Sequence, residues 1–371
     1  MESWARENHI MTNKVITNLK QVTPTWLTSV LTKNGAITDG SVESFELDTG
    51  QGNWSESGSI EVTYSKEAKG SLPTKLFLKM VETDLGDGES FTDSEVTYYT
   101  RDYLDVANTP LLRCYDAEHS DELSRYHILL DDVSETHVLS DEKEPTLAYG
   151  LALADGLATL HARWWGVERL AEAGTSMHSA SHIQRFVGLS ARGAEQILRH
   201  LPHELKPEWQ NSLREIFAQF TPKVIERTSD VNGFTTIHGD VGAKNILVPR
   251  RGDHPIYIID RQPFNWSLTI WLGVYDIAYA IVLDWDVETR RQLEIAILKH
   301  YHKRLIENGI RNYSWEQLYR DYKLCVVMCV YIATEYCRDG VNKRWLYVWL
   351  RMLRRALTAC DDLDCYSLWR K

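Results

Sequence analysis

With 371 residues, 43% of them hydrophobic, the chain is long enough to build two domains, each with its own core. Its 41 Lys and Arg stand against 52 Asp and Glu, and the net charge of −11 argues against nucleic acid as a partner, because a phosphate backbone calls for a basic face. The six cysteines (114, 325, 329, 337, 360 and 365) include no CxxC pair, which points to core thiols in a reducing cytoplasm and away from disulfides or a thiolate metal site.

The first residues, Met1-Glu2-Ser3-Trp4-Ala5-Arg6-Glu7, lack the apolar run of a signal peptide. Thr23-Pro24, followed by Trp26, Leu27, Val30, Leu31 and then Gly35, reads as a short helix with Pro in its first turn and Gly after its last. The period then changes to two: segments 42–47, 59–64 and 75–81 are expected to be strands of an antiparallel sheet. Between the first two, Thr49-Gly50-Gln51-Gly52-Asn53-Trp54-Ser55-Glu56-Ser57-Gly58 is expected to be a loop. Gly50 and Gly52 there would let backbone N–H groups approach a triphosphate.

Lys79, in Leu76-Phe77-Leu78-Lys79-Met80, is an isolated charge inside an apolar strand. It is expected to point inward toward Glu95 on the next helix and to serve the non-transferred phosphates of a nucleotide. That helix is expected over 89–104, with Val96, Tyr99, Tyr103 and Leu104 as its apolar stripe. Segments 113–115 and 126–130 supply two further strands. The character shifts at Asp131-Asp132-Val133. From order alone this segment is a hinge, and the backbone at Asp131 and Val133 is expected to hydrogen-bond adenine. Pro145 opens a helix to Gly166, and most of the remainder is helical. The expectation is an α+β chain, with a small antiparallel β-rich lobe over 1–130, a hinge at 131–133 and a large, mainly helical lobe over 134–371. The most apolar windows, 268–283 (interrupted by Asp276) and 325–333, fall short of the ~20 residues of a membrane span. A soluble cytoplasmic protein with no membrane partner is expected, of unknown oligomeric state.

Two apolar runs then bracket a polar loop: Ile237-His238-Gly239-Asp240-Val241-Gly242-Ala243-Lys244-Asn245-Ile246-Leu247, and Tyr257-Ile258-Ile259-Asp260. Asn245 follows Asp240 by five positions, and Asp260 follows Asn245 by fifteen. Moving a phosphoryl group needs a carboxylate to orient or deprotonate the accepting hydroxyl, and oxygen ligands to hold Mg²⁺ against the phosphates. Asp240 suits the first role, and Asn245 with Asp260 the second. A hard cation explains why the pair is Asn and Asp and not His and Cys. Asp276, alone in the apolar stretch Tyr275-Asp276-Ile277-Ala278-Tyr279, must find partners if buried and is expected to brace this loop. His161 is expected to be a satisfied core histidine.

Taken in order, these segments resemble the aminoglycoside phosphotransferase and choline kinase superfamily, most closely its ecdysteroid-kinase-like branch, which includes bacterial members. The resemblance runs over nearly the whole chain. It begins with Thr23-Pro24-Thr25-Trp26-Leu27, the Gly50 to Gly58 loop, Lys79, Glu95-Val96-Thr97-Tyr98-Tyr99 and Leu129-Leu130-Asp131-Asp132-Val133. It continues with Leu160-His161-Ala162-Arg163-Trp164-Trp165, His238-Gly239-Asp240 with Asn245, Ile259-Asp260-Arg261-Gln262 and Tyr275-Asp276-Ile277-Ala278-Tyr279. It implies a two-lobed protein-kinase-like fold and ATP- or GTP-dependent phosphorylation of a small-molecule hydroxyl. Residue by residue it implies Asp240 as base, Asn245 and Asp260 on Mg²⁺, and Lys79 with Glu95 on the nucleotide phosphates. In one departure, Arg261 stands where the branch usually has an aromatic. A cation there either touches phosphate or points into solvent. Neither Asp-Phe-Gly nor Ala-Pro-Glu is present, which speaks against protein substrates.

The expected activity is phosphoryl transfer from ATP or GTP to a small-molecule hydroxyl. The alternatives are an aminoglycoside-type antibiotic phosphotransferase and a catalytically silent nucleotide-binding regulator, although this chain keeps all five of the lysine, glutamate, base and metal residues. Asp284, Asp286, Glu335 and Asp339 stand among Tyr279, Trp285, Tyr331, Tyr336, Trp345 and Trp349. Such a mixed lining suits a moderately hydrophobic hydroxylated metabolite better than a polycation.

Overall fold

The computed structural model describes residues 15–51, 55–261 and 263–370, so Gly52 lies outside the described residues. The chain divides into two compact units. One takes in the described residues up to Arg101 together with Leu112–Glu135; the other takes in Asp102–Leu111 and the residues from Thr136 onward. The first is built on an antiparallel sheet and the second mainly on helices, the α+β composition expected.

In the first unit, helix Pro24–Lys33 begins where its residues dictate. The Thr23 hydroxyl accepts the Trp26 N–H at 3.1 Å, and Pro24 fills the first turn, where its missing N–H costs nothing. The helix buries Leu27, Val30 and Leu31 in one core with Ile60, Val62, Leu76, Leu78 and Met80. Each such side chain contributes about 1.5–3 kcal/mol by leaving water. The sheet has five antiparallel strands in the order Val42–Gln51, Ser55–Tyr64, Lys75–Glu82, Arg125–Asp131, Cys114–Ser120. Its first two strands run further than expected. Gly50 is paired with Ser57, and neither Gly50 nor Gly58 has a positive φ, so Gly50 is a strand residue and not part of an open loop.

The helix expected over 89–104 starts later. Glu89–Ser90 pairs with Asp84–Gly86 in a small hairpin that turns through Gly86, Asp87 and Gly88, all at positive φ. The helix then runs over Ser94–Thr97 and continues as a π-helical turn, Tyr98–Asp102. Val96, Tyr99 and Tyr103 are buried, but Leu104 is 73% exposed, because it lies beyond the last helical turn and shares no face with the others.

The second unit holds helix Leu147–Arg163, capped by Thr146 and not opened by Pro145. Helix Trp315–Glu335, with Cys325 and Cys329 fully buried, meets helix Ala180–His200 closely: a Cβ on Gly193 would come within 1.8 Å of the Thr334 carbonyl oxygen. Two small antiparallel groups carry the loops of interest. One is His137–Leu139, Ile246–Pro249 and Tyr257–Ile258; the other is Phe234–Thr236 with Ile270–Leu272. All six cysteines are free. No helix among the described residues is long and apolar enough to cross a membrane.

Candidate active site

In the first unit, alternation along strand Lys75–Glu82 sends Leu76, Leu78 and Met80 to the helix-covered core and Lys79 to the other face. There the Lys79 ammonium contacts both Glu95 carboxylate oxygens at 2.9 Å. Only 8% of Lys79 and 2% of Glu95 remain exposed. Two buried charges persist together only when further hydrogen bonds satisfy them. Here the Tyr126 hydroxyl, on the neighbouring strand, donates to Glu95 Oε2. At the end of that strand the Asp131 amide donates to the Arg113 carbonyl at 3.0 Å, and its carboxylate accepts the Tyr115 hydroxyl at 2.6 Å. Burial would raise Asp132, but hydrogen bonds from Ser134 and Ser59 hold its pKa below the usual value. Val133 is half-buried.

In the second unit, strand Phe234–Thr236 leads into Ile237, whose amide donates to the Thr269 carbonyl at 3.0 Å. The chain then turns through Gly239 at φ +83, where a side chain would be strained. Asp276, fully buried, accepts the His238 amide at 2.7 Å, the Gly239 amide at 2.9 Å and a His161 ring nitrogen at 3.1 Å. The other His161 nitrogen meets the Tyr301 hydroxyl at 2.8 Å. Burial alone would raise Asp276; His161 and the donated amides keep it below the ordinary carboxylate value. His238 is pushed down by burial, and its Nε2 meets the Ile259 carbonyl at 3.0 Å.

The loop presents Asp240 with both carboxylate oxygens engaged. Tyr279 donates its hydroxyl to Oδ1 at 2.6 Å, and the Asn245 side-chain amide donates to Oδ2 at 3.0 Å and to the Asp240 carbonyl at 2.8 Å. Asp240 keeps solvent contact, as a recessed but open group. The protein around it displaces water and pushes its pKa up. Tyr279, His238 and Asn245 oppose the shift, and the charge of Asp260 adds to it. Asn245 spends its nitrogen on Asp240, which leaves its amide oxygen as the available ligand. The Ile259 amide donates to the Asn245 carbonyl at 2.9 Å, tying the Asp260 segment to the loop. Asp260 itself sits at φ +68. Thus Asp240, Asn245 and Asp260 come together within the second unit, while Lys79 pairs with Glu95 within the first.

Arg261 does not point into solvent. It is 3% exposed, and its Nε and Nη2 both donate to the Ile237 carbonyl at 3.1 Å. Several residues expected to line an acceptor site pack instead. Trp349 and Tyr331 are fully buried, Trp285 is 3% exposed, and Asp286 caps the helix Val287–Glu307. Glu335 pairs with Arg338 at 2.8 Å. Tyr336 and Trp345 are half-buried, and the charges of Asp240, Glu335 and Asp284 all bear on Tyr336.

Two roles escaped the sequence reading. Tyr279 was expected only as a possible acceptor wall, yet it holds the Asp240 carboxylate; its place three residues after Asp276, on the same helical face, was the available signal. Asp284 accepts the Ala243 amide at 2.7 Å and so supports the short 3₁₀ turn that carries Asn245. Burial pushes its pKa up to about 6. Among the described residues, no group of three or more His, Cys, Asp or Glu gathers as a metal site.

No family model matches this sequence, and no curated protein does. Solved structures do. A choline kinase from Cryptosporidium parvum Iowa II superposes with a TM-score of 0.58 at 11% identity, covering 92% of this chain and 96% of that one. A Plasmodium vivax ethanolamine kinase gives 0.55 at 13% identity, covering 88% and 84%. The GDP complex of aminoglycoside 2'-phosphotransferase-IIIa gives 0.50 at 14% identity, covering 91% and 99%. At such identities the likeness is one of fold. The chain has the fold of the choline kinases and aminoglycoside phosphotransferases, as its sequence motifs imply.

Proposed function

From this shared fold we propose that the chain is a small-molecule kinase of the aminoglycoside phosphotransferase and choline kinase superfamily, nearest its ecdysteroid-kinase-like branch. It transfers the γ-phosphoryl group of ATP or GTP to a hydroxyl. The observation that carries this reading is the Asp240 carboxylate, fixed at both oxygens by Tyr279 and Asn245 and still open to solvent. A group so held can accept a hydrogen bond from a substrate hydroxyl and take its proton as the new P–O bond forms. Its pKa is pushed up, chiefly because the surrounding protein displaces water, and that makes it a better base than an ordinary Asp.

The donor set fits Mg²⁺. The Asn245 amide oxygen and the Asp260 carboxylate are hard ligands, and the effect of the Asp260 charge on Asp240 is one that a divalent cation relieves. When bound, Mg²⁺ would neutralise charge on the phosphates. Lys79, positioned by Glu95 and Tyr126, would hold the non-transferred phosphates, and the backbone at Gly50, Asp131 and Val133 would serve the nucleotide. Because the Asp131 amide is engaged by Arg113, Asp131 would offer adenine its carbonyl.

For the acceptor we propose a hydroxylated, moderately hydrophobic metabolite, with Tyr279 and Tyr336 beside the reacting hydroxyl, in a cytoplasmic protein. Support comes from the way the acidic residues expected there are engaged: Glu335 and Asp339 both pair with Arg338, Asp286 caps a helix, and Asp284 holds Ala243. ATP and GTP consumption, measured against a panel of hydroxyl compounds with and without Mg²⁺, tests the reading. Turnover confined to kanamycin-like aminoglycosides would replace the acceptor class. No Mg²⁺-dependent turnover or nucleotide binding at all would remove the kinase.

A further inference from the structure

We propose that Arg261 is a positioning residue that fixes the metal-binding carboxylate of Asp260 against the catalytic loop; this rests on the kinase reading of the same site. Asp260 sits at φ +68, a left-handed backbone that costs a residue with a Cβ some strain, though less for Asp than for most. Both of its chain neighbours are tied to the loop. On one side, the Ile259 amide donates to the Asn245 carbonyl at 2.9 Å, and the Ile259 carbonyl meets His238 Nε2 at 3.0 Å. On the other side, the Arg261 guanidinium sends two N–H groups to the carbonyl of Ile237, the residue that leads into His238-Gly239-Asp240.

The strained residue is therefore pinned before and after itself, each time to the segment that carries Asp240 and Asn245. The Arg261 tie is charge-assisted, stronger than a neutral hydrogen bond, and planar, so it fixes direction as well as distance. It is made in the buried interior, with 3% of Arg261 exposed, where water cannot replace it. An aromatic at this position has no donor for the Ile237 carbonyl.

The Arg261 tie acts through Asp260, so the variants to examine are Arg261→Gln and Arg261→Lys, in the full chain, with Asp260 and Asn245 intact. Nucleotide affinity is measured by calorimetry in EDTA and across a Mg²⁺ titration, with a thermal melt of each variant. The expectation for Arg261→Gln is metal-free nucleotide affinity within about twofold of wild type and a Mg²⁺ half-saturation raised roughly 10-fold. The latter is the scale on which partners behind metal ligands matter. Mn²⁺, which tolerates looser geometry, should recover part of the loss. Arg261→Lys, with one flexible donor, should fall between. A folded Arg261→Gln with a wild-type Mg²⁺ response overturns the inference. If that variant does not fold, a wild-type Mg²⁺ response in Arg261→Lys overturns it equally. A wild-type protein whose nucleotide affinity ignores Mg²⁺ would instead remove the kinase reading, and the inference with it.

Discussion

Lys79 and Asp240 are both charged groups held by hydrogen bonds, and the two units hold them in opposite ways. Lys79 and Glu95 are sealed, 8% and 2% exposed, and each neutralises the other. Asp240 remains open to solvent, held by neutral donors from Tyr279 and Asn245 and opposed by the like charge of Asp260. A sealed opposite-charge pair, satisfied further by the Tyr126 hydroxyl, is neutral as a unit and presents a fixed geometry. An open carboxylate beside another carboxylate is incomplete, and its surroundings favour an arriving proton or cation. The first arrangement suits a fixed electrostatic fixture and the second suits chemistry.

The largest expected effect breaks the open side. Asp240→Ala should leave nucleotide affinity nearly unchanged while kcat falls roughly 10²–10⁴-fold, the range of a positioned general base. Tyr279→Phe, which removes one hydrogen bond to that carboxylate, should cost about tenfold. Steady-state kinetics on the panel substrate decide it; near-wild-type turnover of Asp240→Ala would take Asp240 out of the mechanism. Next comes the like-charge neighbour. Asp260→Ala should abolish turnover and weaken Mg²⁺-dependent nucleotide binding, and Asn245→Ala, losing a neutral ligand, should do so more mildly. An unchanged Mg²⁺ titration in Asp260→Ala would put the metal elsewhere.

The sealed pair should fail differently. Lys79→Met should raise the nucleotide KM and lower kcat together, and Glu95→Gln should do the same more weakly. Either change leaves a buried charge without its partner, a loss of about 3–5 kcal/mol where nothing else compensates. The double variant should regain much of that stability, measured by chemical denaturation, without regaining activity. Single variants as stable as wild type would mean that the pair is not sealed in solution.

How much of this was legible follows from the same contrast. Asp240, Asn245 and Asp260 stand out by residue type and spacing, and the structure brings Asp240 and Asn245 into contact and ties the Asp260 segment to them. Lys79 stood out because a lone charge in an apolar strand needs a partner. Backbone detail was harder to read. The hairpin through Gly86, Asp87 and Gly88 is hard to read because its strands, Asp84–Gly86 and Glu89–Ser90, are too short to show a period of two, and the second falls at the start of the helix expected over 89–104. Gly50 reads as loop from the sequence because the strand Val42–Gln51 loses its apolar alternation before it ends. Asp284 follows the π-helical turn Tyr279–Leu283, which adds a residue to the turn, so ordinary helical spacing from Asp276 does not place it. Of the two expectations for Arg261, burial removes solvent, and no pattern in the sequence announces the Ile237 carbonyl that accepts from it.

The smallest expected effect concerns Asp284, the acid that supports Asn245 from behind through the Ala243 amide. Burial raises its pKa to about 6, so between roughly pH 4 and pH 6 the folded chain holds a proton that the unfolded chain has released. Its contribution to stability is therefore most favourable at low pH and is lost as pH rises through about 6, opposite in sign to Asp132 and Asp276, whose lowered values favour the fold as pH rises. The half-buried side chain keeps some water, so the effect should be roughly 1–2 kcal/mol, less than the full shift would give. Asp284→Asn keeps an oxygen for the Ala243 amide and cannot titrate. Relative to wild type it should gain that amount between pH 4.5 and pH 7.5 in denaturant unfolding, with kcat at neutral pH within a few-fold. Parallel stability curves for the two proteins would show that the Asp284 carboxyl is solvated like an ordinary surface acid, and that the catalytic loop is open behind Asn245 as well as in front of Asp240.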